Sequence, residues 1–226
     1  GGGAPGLIAA ISAARAGAQV TLIEHMDRVG KKILSTGNGR CNLTNYRMEP
    51  ECYHCSQKDF PMKVIQGFGV EFFKYLGIVP KDRNGYVYPN SDQAASVLDV
   101  LRWETERLGI RVLLSCQVSV IKPQRDGGFL IWSSQGTLHT DTLILAAGSK
   151  AAPSTGSDGS GYELAKALGH KVIKPLPALV QLRCRSAMPR ICPKRNLSSP
   201  STPSPAALGR PLRRQCCRRA KRLRVR

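Results

Sequence analysis

Gly1-Gly2-Gly3-Ala4-Pro5-Gly6-Leu7-Ile8-Ala9-Ala10-Ile11 is the stretch whose reading decides the fold. Gly1, Gly3 and Gly6 satisfy the spacing G-x-G-x-x-G, and Leu7 to Arg15 follows with the small and apolar residues of a helix packed on a sheet. In such a turn the first glycine permits the tight exit from a strand. The second lets backbone approach a pyrophosphate, and the third lets helix and strand pack closely. The unpaired N–H groups and positive end of the helix then hold the phosphates. Ala18 to Glu24 reads as a buried strand ending in an acid, eighteen residues after Gly6, where a carboxylate can hydrogen-bond a ribose diol. An ordinary glycine-rich turn is the bland alternative, but a helix, a strand and a terminal carboxylate follow in the required order. The strand that should deliver the chain into Gly1 is not in the sequence, so the unit is expected to lack its first strand.

The chain has 226 residues, 42% of them apolar, enough for a sizeable core in one large or two small domains. Its net charge of +19 is unevenly spread. Arg183 to Arg226 holds 14 Lys and Arg and no acid, leaving 20 bases against 15 acids in residues 1–182. The basic excess therefore belongs to the tail and says little about what the folded part binds. There is no secretory segment and no apolar run able to span a bilayer, so a cytoplasmic, thiol-reduced protein without a membrane partner is expected.

After Glu24 comes His25 to Asn45, H-M-D-R-V-G-K-K-I-L-S-T-G-N-G-R-C-N-L-T-N. Gly30, Gly37 and Gly39 stand beside Arg28, Lys31, Lys32 and Arg40, a combination suited to wrapping a pyrophosphate, although a solvated basic loop has the same composition. G-K-K-I-L-S-T-G-N-G-R-C-N-L-T-N behind a G-x-G-x-x-G and an acidic strand end resembles the bacterial flavoprotein family called YhiN-like, BaiN-like or aminoacetone-oxidase-like, over residues 1 to about 184. The resemblance implies an FAD-binding, two-dinucleotide-type fold with the G-x-G-R-C-N loop against the cofactor. It makes Gly1, Gly3, Gly6, Glu24, Lys31, Gly39, Arg40, Cys41 and Asn42 cofactor-side residues. Read on its own, Cys41 beside Arg40 is a packing residue, with a low-pKa redox thiol as the alternative.

Cys52 to Cys55 (C-Y-H-C) contains a C-x-x-C, but no second ligand pair occurs in residues 1–182, and no metal site is read there. Gly69 to Ile78 predicts a short helix with Phe72, Phe73 and Leu76 as its apolar face, and Asn84-Gly85 predicts a hairpin turn. Ser91 or Asp92 is expected to cap a helix over Ala94 to Leu108, with a substrate-cavity role for Tyr88, Ser91 and Asp92 as the alternative. Ile110 to Leu114 then enters a further parallel strand. Gln117 to Ile121, Gly128 to Trp132 and Gly136 to Thr140 form a meander, and Asp141 to Gly148 is expected to return to the parallel sheet. This order resembles the FAD-binding domain of two-dinucleotide flavoproteins rather than a nicotinamide dehydrogenase, and it places Val118 where the adenine passes. Gly156, Gly159 and Gly161 open a second glycine-rich loop able to approach a ligand.

The fold class expected is α/β: a Rossmann-like FAD-binding domain, a parallel sheet with a β-meander, incomplete at both ends. Residues 1–182 form that domain. Residues 183–226 are a Pro-, Arg- and Cys-rich tail without periodicity, read as out-of-frame translation or a disordered arm. The function implied is that of an FAD-dependent oxidoreductase passing hydride through flavin N5, with NAD(P)H as candidate donor and a small-molecule substrate. Reduction of a conjugated double bond and oxidation of a small amine or ketone both fit the resemblance. The alternative from another class is nucleic-acid binding through the basic tail alone.

Overall fold

A computed structural model describes residues 1–53, 59–67 and 69–176, nearly all within one compact unit, Gly1–Pro175. His54 and Cys55 of the C-x-x-C, and the whole of the tail from residue 183, lie outside the described residues.

Helix α1 (Ala4–Arg15) begins at Gly3, whose extended backbone carries no side-chain cap, with Pro5 in the first turn. It ends where Gly17 turns left-handed at φ +89 and the Ala18 N–H returns to the Ala13 carbonyl. Leu7 and Ile11, one turn apart on its inner face, are both 0% exposed. Burying side chains of this size contributes about 2 kcal/mol each. Strand β1 (Thr21–Ile23) runs parallel to β5 (Arg111–Leu113), with Thr21 opposite Arg111 and Ile23 opposite Leu113. The crossover between them contains α4 (Ala94–Arg107), whose buried Ala94, Val97, Leu98, Leu101 and Thr105 recur at helical spacing and meet α1. This is the α/β, Rossmann-like arrangement expected.

Between β1 and α4 lie β2 (Thr44–Asn45), the short helices α2 (Asp59–Gln66) and α3 (Val70–Tyr75), and the hairpin β3 (Pro80–Arg83) with β4 (Tyr86–Pro89). The three strands form an antiparallel sheet in the order β2-β4-β3. Asn84 and Gly85 both take positive φ at the hairpin tip, and the Gly85 N–H donates to Asp82 Oδ1 at 2.7 Å. Strands β6 (Val118–Pro123), β7 (Phe129–Ser133) and β8 (Gly136–Thr140) form the meander, and α5 (Ser160–Ala167) follows the second glycine-rich loop.

Two expectations are corrected. The apolar run 141–148 forms no strand, and no backbone–backbone hydrogen bond among the described residues involves it. Its strand sequence is real, but a parallel strand needs a neighbour, and neither β1 nor the meander provides the edge beside it. The cap of α4 also differs: the N-cap is Gln93, with no side-chain cap. Asp92, at φ +55, is drawn away into ion pairs with Arg83 and Lys81 of the hairpin. Ser91 Oγ instead accepts the Gln93 N–H at 3.3 Å and meets Ser96 Oγ at 2.6 Å.

Candidate functional site

The three glycines of the first turn are required for different reasons. A Cβ on Gly6 would lie 1.7 Å from the Gly1 carbonyl oxygen, and one on Gly1 would lie 2.5 Å from the Ala146 oxygen. These two positions admit nothing larger, because the chain itself fills the space. A Cβ on Gly3 would meet no atom closer than Pro5 Cδ at 3.9 Å, and Gly3 has an ordinary φ of −76°. Protein packing does not require that glycine. It leaves open backbone at the start of α1, where the first-turn N–H groups carry neither a side-chain cap nor an acid. Such a surface is the positive, donor-rich end of a helix and fits a phosphate.

Glu24 lies beneath this turn, 7% exposed. Its Oε2 accepts the Gly2 N–H at 2.5 Å and its Oε1 the Met26 N–H at 2.8 Å, with His25 Nδ1 at 3.7 Å. A carboxylate oxygen holds two lone pairs, so each keeps one for a hydroxyl donor. Gly2 was not singled out by the spacing. A Cβ there would come within 2.7 Å of Val29 Cγ1, and its carbonyl accepts the Gly30 N–H, so it joins the turn to the loop after β1. A glycine at a position the motif leaves free was the available signal. Val118 opens β6 two residues after Cys116, whose N–H donates to the Glu24 carbonyl at 2.9 Å.

The basic loop is divided. Lys31 pairs with Asp27 at 2.8 Å, whereas Lys32 reaches across to Ser157 Oγ at 3.3 Å. Lys32 thus links this loop to the second glycine-rich segment, a role that two adjacent lysines do not distinguish in sequence. Gly156 lies against Met26 and His25, and Gly161 against Ala147, so this second loop does border the first. The stretch 37–42 is held elsewhere, against β4: a Cβ on Gly37 would lie 3.2 Å from Tyr88 Cε1, and the Leu43 N–H donates to the Val87 carbonyl. Its backbone is left-handed at Gly37, Asn38, Gly39 and Cys41 in near succession, with Arg40 and Asn42 exposed. Arg40 forms no ion pair among the described residues. Cys41 is half-buried against the core, and burial raises its thiol pKa, which keeps it protonated and suits packing rather than redox attack.

Comparison with known proteins agrees with this fold. A family model described as the HI0933-like protein Rossmann domain matches residues 1–208, a stretch that runs past the change of composition at residue 183. The chain is 47% identical over 191 residues to a 3-dehydro-bile acid delta(4,6)-reductase of Clostridium scindens, covering 82% of this chain and 46% of that protein. It is 30% identical over 186 residues to a ribosomal RNA dihydrouridine synthase of Escherichia coli, covering 80% and 46%. The chain thus spans about half the length of these curated relatives. Among solved structures, a 3-ketosteroid-delta4-(5alpha)-dehydrogenase from Rhodococcus jostii superimposes with a TM-score of 0.53 at 16% identity, over 76% of this chain and 53% of that one, a likeness of fold.

Proposed function

The chain belongs to the HI0933-like Rossmann-domain family, and from that premise we propose that it carries the adenosine and pyrophosphate side of the FAD site of an oxidoreductase that reduces a carbon–carbon double bond conjugated with a carbonyl. The observation that carries the dinucleotide reading is Gly3: a glycine that packing does not need, at an uncapped helix N-terminus, over a buried carboxylate. The N–H groups at the start of α1 would hold the pyrophosphate, and the remaining lone pairs of Glu24 the ribose hydroxyls. Lys32, fixed to Ser157 beside the turn, adds positive charge there. The exposed Arg40 and Asn42, with Gly39, are assigned to the cofactor by family resemblance. When bound, FAD would supply hydride transfer through N5, with NAD(P)H as the proposed donor.

The reaction class is supported by the activities for which these relatives are named. A 3-oxo bile acid with double bonds at positions 4 and 6, and a uracil ring, both present a double bond conjugated with a carbonyl. The higher identity to the former favours a polycyclic or similarly apolar ketone over an RNA uridine.

The test is to incubate the purified chain with FAD, desalt it and record the visible spectrum, with wild type compared against Gly3→Val. Retained flavin bands in the wild type and their loss in a variant with an unchanged unfolding temperature are expected. A colourless wild type, or equal retention by the variant, would overturn the assignment.

A further inference from the structure

The hydroxyl of Ser157 is placed differently from its neighbours in the second glycine-rich loop. Thr155 Oγ1 donates to the Ala152 carbonyl at 2.9 Å and Ser160 Oγ to Asp158 Oδ1 at 2.7 Å, so both protons are used inside the loop. Ser157 is 6% exposed, and its Oγ accepts from Lys32 Nζ at 3.3 Å. An ammonium only donates, so Lys32 cannot take the Ser157 proton, and no other described residue does. A buried hydroxyl whose donor is unused is unfavourable unless something else accepts from it.

The backbone holds Ser157 in that place. Ala152 and Ser157 exchange N–H to carbonyl bonds in both directions, at 3.3 and 3.2 Å, and close a loop over Pro153–Thr155 with Gly156 left-handed at φ +92. The loop stands beside the first turn. A Cβ on Gly148 would lie 3.2 Å from Ser157 Oγ, and Gly148 follows Ala147, whose Cα is 3.0 Å from where a Cβ on Gly1 would be. Lys32 is tied to the same turn through Gly30, whose N–H donates to the Gly2 carbonyl at 2.8 Å. The nearby acid is committed elsewhere: Asp158 Oδ1 accepts both the N–H and the hydroxyl of Ser160, at 2.9 and 2.7 Å, at the start of α5. Ser157 and Lys32 therefore present one hydroxyl proton and the remaining ammonium protons without an acceptor among the described residues, a donor set that suits a phosphate oxygen.

We infer that Ser157 is a ligand-binding residue: its hydroxyl, beside the Lys32 ammonium, donates to the second phosphate of a bound nucleoside diphosphate, while the N–H groups of α1 take the first. This rests on the dinucleotide reading of the first turn and adds a selectivity to it. The helix end alone serves one phosphate, and the pair makes the site prefer a diphosphate.

The affinities of the full chain for ADP and AMP, measured by calorimetry, test it, since the two ligands share adenosine and one phosphate and differ in the other. The wild type should bind ADP at least about tenfold more tightly than AMP. Ser157→Ala and Lys32→Gln should each weaken ADP about five- to tenfold and AMP less than about twofold, with unfolding temperatures unchanged. Adding Ser157→Ala to Lys32→Gln should weaken ADP further, because the hydroxyl is itself a donor. Ser157→Gly takes the place of Ser157→Ala if the latter does not fold. Equal losses for ADP and AMP would assign Ser157 to structure alone, and no further loss in the double variant would make it only a support for Lys32. Either result overturns the inference and leaves the dinucleotide reading standing, as does a wild type that binds ADP no more tightly than AMP. A wild type that binds neither nucleotide overturns that reading and the inference with it.

Discussion

Gly3 and Gly6 have the same side chain and opposite physical roles, which makes them a matched pair for experiment. Gly6→Ala must move the Gly1 carbonyl out of contact, and the gain in helix propensity of about 1 kcal/mol does not offset such an overlap. We expect a lowered unfolding temperature whatever the ligand. Gly3→Ala meets open space and an ordinary φ, so thermal unfolding without ligand should be unchanged while FAD affinity falls about tenfold or more, read by fluorescence titration. Glu24→Ala is the less clean probe. Besides any ribose contact it removes the acceptor of two backbone N–H groups, one of them buried, and should cost about 1–3 kcal/mol in urea unfolding as well as flavin binding. The spacing of Gly1, Gly3, Gly6 and Glu24 made the turn legible in the sequence, because the motif fixes those positions relative to one another. What the spacing could not carry was Gly2 and Lys32. Their partners, Glu24 and Ser157, stand 22 and 125 positions away, and only folding brings them together.

Among the elements, those that pair or pack among the described residues were readable, since period and turn chemistry suffice for α1, the β3–β4 hairpin, α4 and the meander. The run 141–148 was not, because strand propensity describes a residue's fit to a sheet and cannot report whether an adjacent edge exists. A contact between helices also escaped the sequence. Glu104 of α4, 9% exposed, accepts from Arg15 of α1 at 2.6 Å and from its own neighbour Arg107 at 2.7 Å, while Arg15 lies over the Tyr75 ring at 4.4 Å. A charged residue on the inner edge of a helix reads as solvated until its partner, far off in sequence, is known. The hydrogen bonds from Arg107, followed by those and the charge of Arg15, lower the Glu104 pKa from 4.5 to about 2. A carboxylate whose folded pKa is depressed stabilises the fold above its unfolded pKa, and that contribution is lost as pH falls from about 4.5 toward 2. With the 65% exposure of Arg107 discounted, the effect is about 1–2 kcal/mol. Urea unfolding at pH 7 and pH 3 should show Glu104→Gln less stable at the higher pH, with the gap to wild type narrowing at the lower. A gap that is constant with pH would assign the loss to packing.

At the scale of the whole molecule, most of the charge of +19 and the proposed dinucleotide site lie in different parts of the chain. Residues 1–182 hold 20 bases and 15 acids, and several of those bases are already committed: Arg15 and Arg107 to Glu104, Lys31 to Asp27, Arg83 to Asp92. The 14 bases from Arg183 onward have no acid among them in sequence. Adsorption to a polyanion scales with the number of cations that displace counterions, so most of any such adsorption should come from residues 183–226. In the proposed site, binding of one FAD pyrophosphate would instead depend on the oriented N–H groups of a single helix end, that of α1 above Glu24. The two properties should therefore separate on removal of residues 183–226. The shortened chain is expected to retain FAD as the full chain does, while its binding to a generic RNA weakens strongly and loses most of its salt dependence between 50 and 200 mM, a range over which six to ten phosphate contacts change affinity by about a thousandfold or more. Loss of flavin with RNA binding intact would place the dinucleotide contacts in residues 183–226 and refute the assignment to the first turn. Loss of both would mean that those residues support the fold on which the turn depends.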